Sequence, residues 1–298
     1  MKLPGLILFG DPHKPHAREA LDRFMQFIKG RTEILANCFE DSCSMETLRR
    51  ADFAIVFGGD GTILSAARKL CETQVPTIGV NVGKLGFLAE FSVDELIKQF
   101  DQILKNKSLI EKRMVLSCSL FRCEQLVFSS IAINDVVITA GHPFRMIEVQ
   151  IAIRGQNLAG CVGDGVIVST PTGSTAYNLS AGGPILSANL EAMVITPICP
   201  HSLSFRPIVI SNQNKVQLCP IRTNENTTLV LDGQISQILE SGDRIEVGRY
   251  EGQFLVVNNP IRTQWDTLAA KLNWAEKPRY NLIMPKQSGT AENNAGQK

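Results

Sequence analysis

Asp60 is a lone carboxylate among glycines in the run Phe57-Gly58-Gly59-Asp60-Gly61-Thr62. Glycines let a backbone turn tightly and come close to a ligand. The run lies between an apolar segment, Phe53–Phe57, and a helical pattern at residues 63–70. A helix starting there would aim free N–H groups at the loop and attract phosphate. A carboxylate in that place repels phosphate. Asp60 suits it if it acts on a hydroxyl, or on a metal at the phosphate's edge; the alternative is a plain turn with an aspartate near a helix start. Gly58, Gly59, Gly61 and Thr62 form the candidate phosphate loop.

Three further runs carry polar groups in unusual company. Residues 81–88, Asn-Val-Gly-Lys-Leu-Gly-Phe-Leu, follow the apolar run 76–80 directly. Open α/β sheets place ligands at such strand ends. Asn134-Asp135 interrupts the apolar run 131–138. Neighbours in a strand point to opposite faces, so at least one of the two faces an interior or an interface. An amide and a carboxylate suit ribose hydroxyls and adenine edges, although a bulge or strand end accounts for them too. The densest run is residues 163–177, where a strand passes through Ser169-Thr170-Pro171-Thr172-Gly173-Ser174 into a helical pattern at 175–181, ended by Gly182-Gly183-Pro184. Hydroxyls and backbone donors at a helix start suit phosphate or ribose. Other chemistries are excluded. Residues 79–84 are one short of a Walker A loop and Leu85 replaces its Ser or Thr; no H-R-D or D-F-G set and no G-x-S-x-G elbow occurs.

The elements that must position these residues fall into two kinds. Up to residue 113, apolar runs (6–9, 53–57, 76–80) alternate with amphipathic helical patterns (17–28, 63–70, 93–104). Such alternation implies an α/β domain with a mostly parallel sheet. From 114 to 260, strand-like runs follow without long helices, and Ile147, Val149, Ile151 and Ile153 show the period-two pattern of a half-buried strand. This part is an all-β, sandwich-like domain, giving a two-domain α+β chain. Residues 265–274 are helical again and are expected, within 261–285, to pack back on the first domain. The polar stretch 286–298 lacks periodicity and is expected to be a disordered tail.

The 298 residues carry a formal net charge of +1 and are 44% hydrophobic. That balance suits a sizeable core and argues against nucleic acid as a partner. No stretch is long enough to span a membrane, and the opening apolar run is too short for a signal peptide, so a cytoplasmic location is expected. The eight cysteines include no C-x-x-C pair and are expected to be mostly buried and inert. His13 and His16 have no third ligand nearby in sequence and read as solvated loop residues.

Taken in order, G-G-D-G-T (58–62), N-V-G-K-L-G-F (81–87), N-D (134–135), D-G-V-I-V-S-T-P-T-G-S-T-A-Y (164–177), S-A-G-G-P (180–184), T-P-I-C-P-H-S-L (196–203) with Arg206-Pro207, and D-G-Q (232–234) resemble the NAD kinase family over about residues 53–260. G-G-D-G-T by itself is shared with lipid kinases and phosphofructokinases. The resemblance implies a site between the two domains and transfer of the γ-phosphoryl group of ATP to the 2′-hydroxyl of the adenosine ribose of NAD. It implies Asp60 as the base. It implies NAD contacts from Asp60, Gly61, Asn134, Asp135, Arg145, Asp164, Thr175, Ala176, Tyr177, Asn178, Leu179, Ser180 and Gln234. It also implies Mg2+ held mainly through ATP phosphates rather than by protein ligands, and a homodimer or homotetramer. The sequence departs from the family at Asp135, where Glu is more usual, and at Val162, where a basic residue is often found. A lipid kinase leaves the runs at 134–135 and 170–177 unexplained; a non-catalytic NAD-binding module leaves Asp60 unexplained.

Overall fold

The computed structural model describes residues 3–39, 43–83 and 86–273. Its first domain alternates β1 (Gly5–Gly10), α1 (Pro15–Ile28), β2 (Glu33–Asn37), α2 (Met45–Arg49), β3 (Phe53–Phe57), α3 (Asp60–Thr73), β4 (Thr77–Val80), α4 (Val93–Lys105) and β5 (Ile110–Arg113). β1 and β3 are buried along nearly their whole length because both faces of the sheet are covered. Leu6, Leu8, Ile55 and Phe57 point to one side, into a core with α1 and α4. Ile7, Ala54 and Val56 point to the other, into a core with Leu48 of α2 and Ile63, Leu64 and Ala67 of α3. A capping box of Ser92 and Glu95 starts α4. The strand order begins β2-β1-β3-β4, all parallel. The chain therefore steps outward from β1 in both directions, which opens a crevice between the C-terminal ends of β1 and β3.

The second domain comprises β6 (Leu116–Arg122), β7 (Gln125–Ala132), β8 (Asp135–Thr139), β9 (Ile147–Ile153), β10 (Gln156–Gly163), β11 (Gly165–Ser169), α5 (Tyr177–Ser180), β12 (Ala192–Ile198), β13 (Ile208–Ser211), β14 (Val216–Arg222), β15 (Thr228–Leu231), β16 (Ile235–Ile238) and β17 (Arg244–Arg249). They form two antiparallel sheets, β10-β9-β14-β17-β6-β7 and β13-β12-β11-β8-β15-β16. Alternate residues of both sheets share one core: Leu116, Cys118, Val149 and Val247 meet Val136, Val166, Met193 and Leu229. The apolar run around residues 126–139 is two strands. It leaves the first sheet at Ala132 and enters the second at Asp135, so Ile133 and Asn134 are the crossing point.

The chain re-enters the first domain earlier than the boundary at 260 expected from sequence. β18 (Phe254–Val257) inserts between β4 and β5, parallel to the one and antiparallel to the other. α6 (Gln264–Leu272) follows, started by a capping box of Thr263 and Asp266. The Lys271 ammonium lies 4.4 Å from the centre of the Phe87 ring. The expected helix at 175–181 is shorter than its pattern: a 3-10 turn at Gly173–Thr175 is separated from α5 by Ala176, whose backbone leaves the helical region. The short strands β2 and β5, and the five-residue α2, were too brief to carry a period. Cys38 and Cys43 form a disulfide, a pairing that their spacing did not signal. Burial pushes the thiols of Cys71 and Cys118 up to about 12, which keeps both inert. The expected tail, 286–298, and residues 274–285 lie outside the described residues.

Phe254 is fully buried and packs with Val115 and Ile133 where the two domains meet. Phe254→Ala is expected to cost about 3–5 kcal/mol, the usual range for a large core aromatic. Denaturant unfolding measures it; a loss under 1 kcal/mol would mean that the returning strand does not hold the domains together.

Candidate active site

The crevice at the ends of β1 and β3 is a cleft of about 470 Å³ lined by Gly10, Asp11, Lys14, Gly59, Gly61 and Thr62. Three of the four candidate phosphate-loop residues thus line one wall. The fourth, Gly58, lies behind them: a Cβ there would fall 2.5 Å from Thr62 Oγ1. The other wall, residues 10–14, went unnoticed in the sequence. Its signal was a glycine directly after a buried strand, which only the sheet order makes meaningful. Lys14 Nζ is 3.6 Å from Asp11 Oδ2. His13 and His16 are exposed, and among the described residues no three His, Cys, Asp or Glu side chains cluster as a metal site would require.

Asp60 begins α3, and its carboxylate turns away from that helix. It accepts hydrogen bonds from the backbone N–H groups of Phe87 (2.9 Å), Leu88 (3.0 Å) and Ala89 (3.1 Å). This resolves the misplaced charge noted in the sequence: three amide donors of an irregular loop surround it. The loop belongs to the Asn81–Leu88 run, and Gly86 is required there, because a Cβ would lie 2.0 Å from Asp60 Oδ1. Asn81 Oδ1 accepts from Gly83 N and tightens the turn. Lys84 and Leu85 lie outside the described residues.

A second cleft, of about 370 Å³, opens against the crossing point of the two sheets. Asn134, Asp135, Ala176, Tyr177, Asp232 and Gly233 line it. The Asp232 carboxylate accepts from Ile133 N (3.0 Å), Asn134 N (2.7 Å) and Asp135 N (3.2 Å). Asp232 and Gly233 both have positive φ, which turns the chain sharply. Gln234 then reaches the first domain, where its Nε2 donates to Gly61 O at 2.7 Å. Arg68 of α3 donates to Gln234 Oε1 at 2.5 Å and pairs with Asp232 Oδ2 at 3.5 Å. Gly61 and Gln234, named separately from sequence, are thus direct partners, while Asp232 and Arg68 were missed as site residues. Asp135 is buried beside Asp232. Burial, then the Asp232 charge, push its carboxyl from 3.8 up to about 7. Burial also raises Asp232, opposed by its three N–H donors and by Arg68, so Asp135 is the member of the pair that takes up a proton.

Three hydroxyls of the Ser- and Thr-rich run are spent on its own fold, while Thr172 Oγ1 is buried without a partner among the described residues. Thr170 Oγ1 donates to Ile133 O, Ser169 Oγ to Asn134 O and Ser174 Oγ to Pro171 O. Gly173 lies so close to the crossing point that a Cβ would sit 2.1 Å from Asn134 O. Buried hydroxyls need partners, and for Ser169, Thr170 and Ser174 backbone carbonyls supply them, so these three are not free for a phosphate or ribose. Asn178 is fully buried, donating to Ser174 O and Pro184 O and accepting from Thr196 Oγ1. Thr175 faces a separate small cavity shared with Phe87 and α6. Leu179 is half-buried and Ser180 exposed. Asp164 lies near Tyr177: burial raises the Tyr177 phenol, and the Cys199 thiol and the Asp135 and Asp164 carboxylates add to the rise. Arg145 is exposed on the loop after β8, where its carbonyl accepts from Asn224, and it lines neither cleft.

Known proteins match this chain along most of its length. Residues 13–108 match the ATP-NAD kinase N-terminal domain, and residues 133–259 the ATP-NAD kinase C-terminal domain. The chain is 37% identical to the NAD kinase of Rhodopirellula baltica, over 91% of this chain and 87% of that one. It is 41% identical to the NAD kinase of Desulforamulus reducens, over 80% and 85%. Yeast NADH kinase complexed with NADH superposes with a TM-score of 0.82 at 26% identity, over 94% of this chain and 90% of that one. An Archaeoglobus fulgidus NAD kinase in complex with ATP superposes with a TM-score of 0.73 at 26% identity, over 91% and 99%.

The buried carboxylate pair makes stability depend on pH. A folded value of about 7 for Asp135, against 3.8 ordinarily, means that the folded state holds a proton that the unfolded chain gives up. Its favourable contribution is complete below about pH 4 and is lost as the pH rises to 7. Asp135→Asn removes this titration. Between pH 4 and 8 the variant is expected to gain on the wild type by about 2–4 kcal/mol of unfolding free energy. Parallel stability curves would show that Asp135 is already ionised in the folded state at pH 4.

Proposed function

This chain belongs to the ATP-NAD kinase family, and we propose that it transfers the γ-phosphoryl group of ATP to the 2′-hydroxyl on the adenosine ribose of NAD, giving NADP. The observation that carries this reading is that the residues flanking Asp60 join two clefts. Its neighbours Gly59 and Gly61 line the cleft at the strand ends, and Gly61 is gripped by the loop that lines the other. ATP phosphates belong in the first, beside Lys14 and the turn before α3. The NAD ribose belongs in the second, beside Asn134 and Asp135.

Asp60 serves as the general base. A carboxylate has about four lone-pair positions, and three are taken by Phe87, Leu88 and Ala89. The fourth receives the proton of the 2′-hydroxyl as that oxygen attacks the γ-phosphorus and ADP leaves. Positioning and charge neutralisation do most of such a reaction. The protein's share is a base whose direction is set by backbone amides that a helix and a strand hold still. Asn134 and Asp135 orient the ribose, and Ala176 and Tyr177 wall the pocket. Gly61 and Gln234 stand between ribose and phosphate, and Asp164 adds charge beside Tyr177. Thr175 and Asn178 act through the loop they shape.

A divalent cation, Mg2+, fits this arrangement if ATP itself holds it. The carboxylate nearest the phosphate loop, Asp60, is committed to amides, and Asp11 is paired with Lys14. Phosphate oxygens then supply the hard ligands such a cation prefers, and it would neutralise charge on the transferred group. Family membership supports assembly as a homodimer or homotetramer in the cytoplasm. Among the described residues no helix is long and apolar enough to cross a membrane.

Incubation with NAD and Mg-ATP, followed by an assay for NADP, tests the reading directly. NAD binding without NADP formation would leave a binding module; no turnover of NAD and conversion of a lipid would make it a lipid kinase. Asp60→Asn is expected to keep the fold and NAD binding and to lower kcat by about 10²–10⁴-fold; near wild-type kcat would remove Asp60 from the mechanism. Asp135→Ala is expected to raise the KM for NAD by about one to two decades and leave the KM for ATP unchanged, because ribose donors lose a carboxylate in a desolvated site. An unchanged KM for NAD with a lowered melting temperature would reduce Asp135 to a strand-end cap. Asp135→Glu restores the residue more usual in the family and should remain active.

A further inference from the structure

We propose that Arg68 is a positioning residue for the phosphoryl transfer: it locks the helix carrying the base to the loop that holds the ribose-binding pair, and so sets the spacing between the two. The inference rests on the NAD kinase reading and adds a residue with no contact of its own in either cleft.

The geometry runs through α3. Asp60, Leu64 and Arg68 are spaced four apart and so lie along one face of the helix. At 1.5 Å per residue, Asp60 and Arg68 are about 12 Å apart along a rigid rod. The rod touches the Asp232–Gln234 loop twice. At its start, Gly61 O accepts from Gln234 Nε2 at 2.7 Å. Two turns later, Arg68 Nη2 donates to Gln234 Oε1 at 2.5 Å and Nη1 lies 3.5 Å from Asp232 Oδ2. Gln234 is therefore held by both ends of its amide, one to the rod's start and one to Arg68. Asp232 passes the constraint on, since its carboxylate binds the N–H groups of Ile133, Asn134 and Asp135. Three side chains, Arg68, Gln234 and Asp232, thus link the helix carrying the base to the ribose pair, beside the backbone bond from Asp232 N to Asp135 O.

Charge gives the same residue a second task. The Asp232 side chain is 0% exposed and the Arg68 side chain 19%. Among the described groups acting on Asp232, Arg68 is the cation. It favours the ionised form against burial, the form that accepts three hydrogen bonds next to a second buried carboxyl, Asp135. A planar guanidinium suits this double task. It can reach a neutral amide oxygen and a carboxylate at once, in a fixed fork, which an ammonium on a flexible stem does poorly.

The test compares Arg68→Met and Arg68→Lys with the wild type, measuring melting temperature, kcat and both KM values on each preparation. Arg68→Met is expected to raise the KM for NAD about tenfold and to lower kcat about tenfold. The KM for ATP should stay within about twofold, because Arg68 does not line the phosphate cleft. Arg68→Lys, which keeps the charge but not the fork, should recover most of the KM for NAD and little of kcat. A folded Arg68→Met with unchanged KM for NAD and unchanged kcat overturns the proposal. So does an equal fall of kcat in both variants with both KM values unchanged, since that reports lost folded enzyme. If Arg68→Met does not fold, Arg68→Lys decides: kcat within about twofold of wild type rejects the fork. A wild type that forms no NADP defeats the parent reading instead, so the two failures are distinct.

Discussion

The Asp232 carboxylate accepts hydrogen bonds from three consecutive backbone amides, Ile133, Asn134 and Asp135. Those amides lie where the chain leaves one sheet of the β domain and enters the other, so no strand partner is available for them. Buried N–H groups without partners are costly. An ionised carboxylate answers three of them at once, and it is itself stabilised against burial by their donors and by Arg68. Asp232 on the amide side, with Thr170 and Ser169 on the carbonyls of Ile133 and Asn134, fixes the crossing point and so the direction of Asn134 and Asp135.

The same device recurs on the other side of the cleft. Asp60 answers the N–H groups of Phe87, Leu88 and Ala89, again in a loop without sheet partners. Each domain thus uses one aspartate to hold an irregular segment, and Leu88, Ala89 and Ile133 from the two segments share one core. The difference between them is chemical. Both carboxylates are bound on both oxygens by backbone amides, but Asp232 is buried and paired with Arg68 as well, which suits a fixed support. Asp60 is half-buried and keeps room for a ligand, which suits a group that must take a proton.

The domains are joined where precision matters. β18 is inserted into the first sheet, Phe254 and Ile133 share a core with Ile63 and Leu64 of α3, and Gln264 of α6 contacts Ala188 and Ser187 of the β domain. The helix bearing Asp60 is therefore packed against residues from both domains. A site built at such a seam gains a deep pocket, yet its geometry depends on contacts far apart in the chain, such as Arg68 with Asp232, separated by 164 residues.

Much of this was legible in the residues themselves. Alternation of apolar runs with helical periods reveals the α/β half, and period-two runs reveal the β half, because burial on one face or two leaves its period in the side chains. Gly58 to Thr62 and Asn134-Asp135 stand out because their types conflict with their surroundings. The Ser- and Thr-rich run stands out too, but hydroxyls signal hydrogen bonding and not its direction, and Ser169, Thr170 and Ser174 turn inward. The sequence by itself determined which elements form, in what order, and which polar residues sit at their ends. Only the tertiary structure decided what those residues hold. The partners of Asp60 and Asp232 are backbone amides, which nearly every residue carries, so no residue type at positions 87–89 or 133–135 could mark them, and only the folded chain brings them within reach.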